Sequence, residues 1–277
     1  MKTRVGIGFI HNNDEKRNNL SLPKILELAN FLKDHYEVRF LPVSFQPDVN
    51  SNRSITWHLN REFVMWKCQM FLHKYLKIKL PTIKSFNFTL IRLINLLKGG
   101  FSKLTRVANF EIMLSDKHIR LWSILAEDND YIIIFEDDAI IDEDSIHKIK
   151  EIIEFSKELE KENDDKILYV DLANGVDLNK LKIDKLIIKR DGDKIFFDRI
   201  VSNTTCSYMI SSKTAKVFLD LLLETPYLRL LPPDRIVDHL GRLLLKKGYS
   251  TICVHINPPA LIHGSMTKAE LYTREYV

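Results

Sequence analysis

One stretch of this chain constrains its fold more than any other. Tyr131-Ile132-Ile133-Ile134-Phe135 is an uninterrupted apolar run, and it stops abruptly at Glu136-Asp137-Asp138. Such a run is typical of a central parallel strand that is buried on both faces. We therefore expect an α/β protein with three adjacent carboxylates at the end of a buried strand.

Three adjacent carboxylates at the end of a buried strand are unfavourable unless their charge is compensated. Ligands of open α/β sheets bind beyond the carboxyl ends of the strands, and a buried acid is costly unless a cation or hydrogen bonds compensate. A hard divalent cation takes oxygen ligands of this kind, with pyrophosphate oxygens and water completing its shell. Glu136-Asp137-Asp138 therefore indicates a metal site that handles phosphate. The alternative is a solvated acidic turn, although Asp142, Glu143 and Asp144 lie closer to the next helix and suit that role better.

The rest of the chain alternates between strand and helix patterns. Asp191-Gly192-Asp193 is typical of a hairpin turn, and no repeat or linker divides the sequence. The order predicts one α/β domain over 1–277, with a mixed, mostly parallel central sheet flanked by helices. Strands are predicted at 4–10, 38–43, 131–135, 167–172, 186–189, 195–197, 206–210 and 251–256, and helices at 20–32, 63–76, 88–97, 109–126, 144–161, 212–223 and 234–247.

Composition excludes several other classes of protein. The 277 residues are 45% hydrophobic and 28% charged, which is ordinary for a globular domain. Cys68, Cys206 and Cys253 are widely spaced and form no CxxC pair, so neither a zinc ribbon nor a disulfide framework is predicted, and reduced thiols are expected. No apolar run is long enough for a signal-peptide core or a membrane span. We therefore expect a cytoplasmic protein.

Positive charge is concentrated in one segment. The chain has a net charge of +4, yet residues 63–110 contain no Asp or Glu and carry nine basic residues: Lys67, Lys74, Lys77, Lys79, Lys84, Arg92, Lys98, Lys103 and Arg106. We predict a basic, aromatic-rich helical insertion at about 50–105. Each cation near an anionic membrane contributes about 1 kcal/mol, so this segment is expected to dock on the inner face of the cytoplasmic membrane or on a lipid-linked acceptor. A solvated helical insertion is equally compatible, and nucleic acid is not favoured because no binding motif is present.

The acids alone do not name a reaction. Walker B strands also end in acids, but the chain has no GxxxxGK[ST] sequence, so a P-loop ATPase is not predicted. Phosphatases and nucleases also place aspartates at strand ends. A metal-dependent phosphoesterase therefore stays open at this point.

Further motifs surround the acids. His118-Ile119-Arg120-Leu121-Trp122 precedes the apolar strand, and Thr205-Cys206-Ser207-Tyr208-Met209-Ile210-Ser211 and Val237-Asp238 follow it. This series resembles glycosyltransferase family 25, the lipooligosaccharide-biosynthesis transferases, which share a His-x-x-x-Trp helix, a Glu-Asp-Asp strand end, a Thr-x-x-Tyr-x-x-Ser element and a Val-Asp pair. The resemblance covers residues 105–240 and, more weakly, 1–45, where Asn12 and Arg17 match an Asn…Arg pattern.

The resemblance implies a GT-A fold, a nucleotide-sugar donor, transfer with inversion, and Mn²⁺ or Mg²⁺ on the donor diphosphate. Asp138 is then the principal metal ligand, with Glu136 a second, while Glu136 or Asp137 contacts the ribose or ion-bound water. His263 is placed as a further ligand after the last strand, or is a histidine of a surface loop. The other expected donor-site residues are Asn12, Arg17, Thr205 and Tyr208.

An inverting transfer needs a base that takes the proton of the acceptor hydroxyl. We predict Asp238 first and Asp234 second, because residues four apart on a helix share a face. The alternatives are that Asp234 is an N-cap, because Pro233 precedes it, and that Asp238 pairs with Arg235 or Arg242.

Three other side chains have structural interpretations, and for Arg17 a binding interpretation is equally open. Trp122 is expected in the core, and His118 is expected to be a satisfied structural histidine that can reach the loop near the acids. Arg17 either pairs with a diphosphate or is an exposed cation at the start of a helix.

Together these features predict an inverting, metal-dependent glycosyltransferase that moves a hexose, galactose or glucose, from a UDP-sugar to a lipooligosaccharide or another surface glycan. The alternatives are a metal-dependent phosphoesterase and a catalytically degenerate, membrane-associated assembly protein.

Overall fold

A computed structural model describes residues 2–11, 15–44, 53–76, 101–173 and 183–264. The helices are α1 Glu15–Lys33, α2 Ile55–Tyr75, α3 Phe101–Leu125, α4 Glu143–Glu162, α5 Ser212–Glu224 and α6 Pro233–Lys246, with short 3-10 helices at Asp184–Leu186 and Pro226–Leu230. The strands are β1 Arg4–His11, β2 Glu37–Ser44, β3 Tyr131–Glu136, β4 Ala139–Ile140, β5 Ile167–Asp171, β6 Ile187–Asp191, β7 Lys194–Phe197, β8 Ser207–Ser211, β9 Thr251–Ile256 and β10 Ile262–His263.

Eight strands form one mixed sheet in the order β2-β1-β3-β8-β5-β9-β7-β6. Strand β1 is parallel to β2 and β3, and β5 is parallel to β9, whereas β8 runs antiparallel between β3 and β5. The predicted mixed α/β fold is confirmed, and the arrangement is consistent with a GT-A-like fold. Because β8 runs the opposite way, its amino end meets the carboxyl ends of β1, β3, β5 and β9 at one edge of the sheet.

Strand β3 is buried on both faces, as its apolar run predicted. Ile132 and Ile134 pack into a core with Trp122 of α3 and with α5 and α6. Ile133 and Phe135 face the opposite core, which is formed with α1 and α4. The sheet therefore lies between two helical layers, and its central strand has no solvated face.

Helix α3 lies unusually close to strand β1. A Cβ atom added to Gly8 would be 2.7 Å from Leu121 Cδ1, so the missing side chain of this glycine permits the close approach. The contact places the middle of α3, including His118, beside the carboxyl end of β3.

The helix and strand boundaries agree with the sequence pattern at several points. Asp142 caps α4 through a capping box with Ser145, and the predicted turn at Gly192, with φ of 58°, joins β6 to β7. Helix α2 begins at Ile55, before the predicted start at 63, while the helix predicted at 88–97 lies outside the described residues. In the part of the chain that the structure describes, every helix is too short or too polar to span a membrane.

Candidate metal centre

The three acids after β3 are buried, and each has a different set of neighbours. Glu136 and Asp137 are each 8% exposed, and Asp138 is 1% exposed. Glu136 lies toward α3 and β8, Asp137 toward α1, and Asp138 toward β10. The alternative of a solvated acidic turn is therefore wrong.

Glu136 belongs to a continuous hydrogen-bond chain. Trp122 Nε1 donates to Tyr208 Oη at 2.8 Å, and that hydroxyl lies 2.9 Å from His118 Nδ1. The second ring nitrogen, His118 Nε2, lies 3.2 Å from Glu136 Oε1, which also accepts from Thr205 Oγ1 at 2.9 Å. A proton on Nε2 of His118 satisfies every step, because Nε2 then donates to Glu136 and Nδ1 accepts from Tyr208. Tyr208 is fully buried, and burial raises its pKa well above its usual range.

His118 and Trp122 have the structural environments that their sequence pattern predicted. Trp122 is 1% exposed and lies in the core. His118 is satisfied and also reaches the acids, because it bonds directly to Glu136. His118 and Trp122 lie one helical turn apart, so both side chains reach the same Tyr208 hydroxyl.

Asp137 is held against helix α1. Arg17 Nη1 lies 3.5 Å from Asp137 Oδ1, and Ser21 Oγ donates to the Asp137 carbonyl oxygen at 2.9 Å. Arg17 is 8% exposed, so the interpretation as an exposed helix-start cation is wrong. Asn12 lies outside the described residues.

Asp138 lies in a cluster of three metal-binding residue types. Carboxylate, thiol and imidazole ligand atoms of Asp138, Cys206 and His263 all lie within 4.8 Å of one another. His263 Nδ1 is 3.6 Å from Asp138 Oδ2. The side chain of His263 is 14% exposed and belongs to strand β10, so the surface-loop alternative is wrong.

Backbone pairing explains why these three residues meet. Strand β10 pairs with β4, with His263 opposite Ala139, and Gly264 N donates to the Asp138 carbonyl oxygen at 2.7 Å. On the other side, Glu136 N donates to the Cys206 carbonyl oxygen at 2.8 Å. The cluster is thus built by main-chain hydrogen bonds on both sides of the β3 strand end.

The donor set fits a divalent cation. His263 Nδ1 is buried and accepts no hydrogen bond from the described residues, and it faces a carboxylate. Asp138, His263 and Cys206 could hold an ion between them. The structure does not bring the predicted ligand Glu136 into this group, since its Oε1 bonds to Thr205 and His118.

The two candidate bases lie on α6. Asp238 is 5% exposed, its Oδ1 accepts from Ser202 N at 2.9 Å, and burial raises its pKa to about 7. Its hydrogen-bond partner is therefore the backbone rather than Arg235 or Arg242. The N-cap of α6 is Pro232, two residues before Asp234, so the N-cap interpretation of Asp234 is wrong. The side chain of Asp234 is 41% exposed and lies 3.7 Å from Arg235 Nε.

A second acid, which sequence reasoning missed, holds the loop before β8. Asp171 Oδ2 accepts from Asn203 N at 3.1 Å, next to the Ser202 amide that bonds Asp238. Thr204 follows with a positive φ of 111°, a strained conformation for a threonine. Two buried carboxylates thus fix a strained loop, and that loop delivers Thr205 to Glu136. The carboxyl end of the predicted strand 167–172 was the signal available in the sequence for Asp171.

A model of a known protein family matches the middle of the chain. Residues 110–237 match the sequence model of the family described as Glycosyltransferase family 25 (LPS biosynthesis protein). The match confirms the resemblance to glycosyltransferase family 25. No curated protein matches the chain.

The family 25 match covers most of the geometry described above. It includes the His118 network, the three acids and the Cys206 segment, and it ends at Val237, while His263 lies beyond it. The family implies a glycosyltransferase of lipopolysaccharide biosynthesis. The buried acids therefore lie inside the segment that matches the family.

Proposed function

We propose that this chain is an inverting, metal-dependent glycosyltransferase that moves a hexose, galactose or glucose, from a UDP-sugar to a lipooligosaccharide or another surface glycan. The observation that carries the proposal is Asp138 at the carboxyl end of β3, inside the segment that matches family 25 and beside His263. Open α/β sheets bind ligands at this position. The family match also includes the Thr205–Ser211 element, which belongs to the transferase pattern. A metal-dependent phosphoesterase is therefore disfavoured.

Asp138 and His263 would hold Mn²⁺ or Mg²⁺, and the bound ion would neutralise charge on the departing nucleoside diphosphate. Asn12 and Arg17 are proposed to face the diphosphate. The guanidinium of Arg17 supplies positive charge on the α1 side of the acids, next to Asp137. Asp137 and Glu136 are proposed to orient the ribose or water at the ion.

Thr205 and Tyr208 are proposed to act on the donor through Glu136. Thr205 donates directly to Glu136 Oε1, and Tyr208 acts through His118. Tyr208 is fully buried, which favours a positioning role over direct contact with the nucleotide. The network holds one carboxylate orientation before donor binding, so less ordering is needed when the donor arrives.

Asp238 remains the first candidate base, and Asp234 the second. A pKa of about 7 suits Asp238 to take a proton near neutral pH. Asp234 has the more open position at the start of α6. Separate Asn substitutions of the two residues distinguish them, since only the base is required for the transfer step.

A thermal-shift panel tests the donor and the metal together. We expect UDP to raise the melting temperature of the wild type in the presence of Mn²⁺, and to raise it far less in the presence of EDTA. Asp138→Asn should lose the metal-dependent increase, whereas Asp144→Asn, an exposed change in the first turn of α4, should keep it. No response of the wild type to any nucleoside diphosphate, with or without metal, would contradict the proposal.

The acceptor is proposed to lie at an anionic membrane surface. Ile55, Leu59, Phe63 and Trp66 of α2 are exposed by 60%, 45%, 60% and 37%, and their spacing places them on one helix face. This apolar stripe adjoins the segment with nine cations, of which Lys67 and Lys74 lie among the described side chains. An amphipathic face with adjacent cations supports peripheral docking at the cytoplasmic side, where a lipid-linked acceptor is found.

Vesicle sedimentation tests the docking surface. The wild type should sediment with anionic vesicles at low salt, less at high salt, and not with neutral vesicles. Phe63→Ser should reduce binding, whereas Leu223→Ser, which removes a 73% exposed leucine from α5, should not. Equal binding by both variants, or no binding by the wild type, would show that the α2 face is not the docking surface.

A further inference from the structure

We propose that Cys206 is a third protein ligand of the metal ion, so that the site prefers Zn²⁺ and similar borderline ions to Mg²⁺. The inference rests on the proposed function, since it concerns the ion that Asp138 and His263 would hold. It assigns a ligand to which the family resemblance gave no role.

The spacing of the three side chains suits one ion. Metal–ligand distances of about 2.0–2.3 Å in a tetrahedral site place neighbouring ligand atoms roughly 3.5 Å apart. His263 Nδ1 and Asp138 Oδ2 are 3.6 Å apart, and all three ligand atoms, including the Cys206 sulfur, lie within 4.8 Å. The three ligand atoms therefore lie close to the spacing that one common ion requires.

The position of Cys206 is fixed independently of its side chain. Its carbonyl oxygen accepts from Glu136 N, and the next residue, Ser207, pairs with Phe135 in the β3–β8 ladder. The sheet therefore fixes the backbone of Cys206 beside the acidic strand end. The same side chain donates a hydrogen bond to Asp138, so the sulfur faces a carboxylate.

A free buried cysteine is often only a small apolar side chain, and that is the simplest alternative. Cys206 differs because its sulfur lies within 4.8 Å of the ligand atoms of both Asp138 and His263. Metal binding would replace the S–H···O contact, and the thiol proton would pass to solvent as the metal–sulfur bond forms. The positive ion would then balance the thiolate and the Asp138 carboxylate.

The three donors predict the choice of ion. Sulfur and imidazole nitrogen favour Zn²⁺ and Co²⁺, whereas Mg²⁺ takes oxygen ligands and keeps several waters. Three protein ligands also leave a fourth position open, as in catalytic zinc sites. A diphosphate oxygen of the donor is the chemical group that fits this position in the proposed reaction.

Cobalt spectroscopy tests the sulfur ligand directly. Metal-stripped protein is titrated with Co²⁺, alone and with UDP, while absorption is recorded in the near ultraviolet, where sulfur-to-cobalt charge transfer appears. The wild type and Cys68→Ser, which removes a buried thiol of α2, should show the band, and Cys206→Ser should not. Zn²⁺ affinity should fall at least about tenfold in Cys206→Ser, with little change for Mg²⁺.

The wild-type spectrum alone is decisive if Cys206→Ser fails to fold. Cobalt binding without a sulfur band, a band that persists in Cys206→Ser, or no Co²⁺ binding at all would overturn the inference. Stabilisation by UDP and Mn²⁺ without a sulfur band would leave the proposed transferase standing and remove only Cys206. A sulfur band without any nucleotide response would support the metal ligand and contradict the transferase.

Discussion

His118 Nε2 lies 3.2 Å from Glu136 Oε1, so a direct hydrogen bond joins helix α3 to the acidic end of β3. The opposite ring nitrogen bonds to Tyr208 Oη at 2.9 Å. Both ring nitrogens of His118 therefore have hydrogen-bond partners, and the ring fixes the orientation of the Glu136 carboxylate. This relationship explains why a histidine, and not only an acid cluster, belongs to the site.

Removing the hydroxyl group of Tyr208 should destabilise the fold. Tyr208→Phe leaves Trp122 Nε1 and His118 Nδ1 without their common partner in a buried place, which should cost about 2 kcal/mol. The free energy of unfolding in urea measures the loss. Tyr249→Phe, at a tyrosine that is 42% exposed, should change it by less than about 0.5 kcal/mol. Equal effects of the two substitutions would contradict the network.

Arg17→Met should lower stability and weaken binding of UDP with Mn²⁺. Removing the guanidinium from a buried pair with Asp137 should cost about 3 kcal/mol. Lys24→Met, which breaks an exposed pair with Glu27 on the same helix, should cost under about 1 kcal/mol. Urea unfolding and UDP titration measure the two effects. Unchanged UDP affinity in Arg17→Met would remove Arg17 from the donor site.

Asp238 should make stability depend on pH. With a pKa raised to about 7, the folded chain keeps a proton that the unfolded chain has released above about pH 4. Stability should therefore fall by up to about 1.4 kcal/mol per pH unit as pH rises from 4 to 7, and level off above that range. Unfolding measured across this range should show the slope in the wild type and in Asp234→Asn, but not in Asp238→Asn.

The same variants identify the base. If Asp238 takes the proton, the rate of transfer should rise with pH through about 7 as its carboxylate forms, and Asp238→Asn should lose transfer. Retained transfer in Asp238→Asn, with loss in Asp234→Asn, would assign the base to Asp234 and leave Asp238 as the group that positions Ser202.

Gly241→Ala should destabilise the loop before β8. A Cβ at this position would lie 2.8 Å from the Ile200 carbonyl oxygen and 2.7 Å from Tyr75 Oη. Alanine improves helix propensity by about 1 kcal/mol, but overpacking costs about 1–3 kcal/mol, and a backbone atom cannot move away cheaply. We expect a net loss of stability in urea unfolding. A gain of stability would show that α6 can shift away from the loop.

Local patterns predicted the parts of this molecule that depend on local sequence. The buried strand β3, its terminal acids and the capped helix α4 were all evident, because periodicity and capping act over a few residues. His263 could be proposed only from the family resemblance. Its meeting with Asp138 depends on a short pairing of β10 with β4, for which two residues give no recognisable pattern.

Cys206 and Asp171 could not be placed from sequence for a different reason. Their positions depend on β8 running antiparallel between β3 and β5, and the apolar pattern of a strand does not give its direction or neighbours. Burial of Arg17 was likewise unpredictable, because its partner Asp137 is separated from it by more than a hundred residues. The sequence therefore predicts the helices and strands, but it does not predict which side chains meet at the edge of the sheet.

Release of UDP from UDP-galactose or UDP-glucose, measured with a lipooligosaccharide acceptor, reports the proposed sugar transfer itself. The wild type should release UDP only when acceptor and divalent ion are both present. Asp138→Asn should lower the rate at least about a hundredfold, since the ion is expected to contribute several kcal/mol, while unfolding in urea remains cooperative. Asp144→Asn should keep the wild-type rate. Full activity in Asp138→Asn, or undiminished release of UDP in EDTA, would contradict a metal-dependent transfer at Asp138.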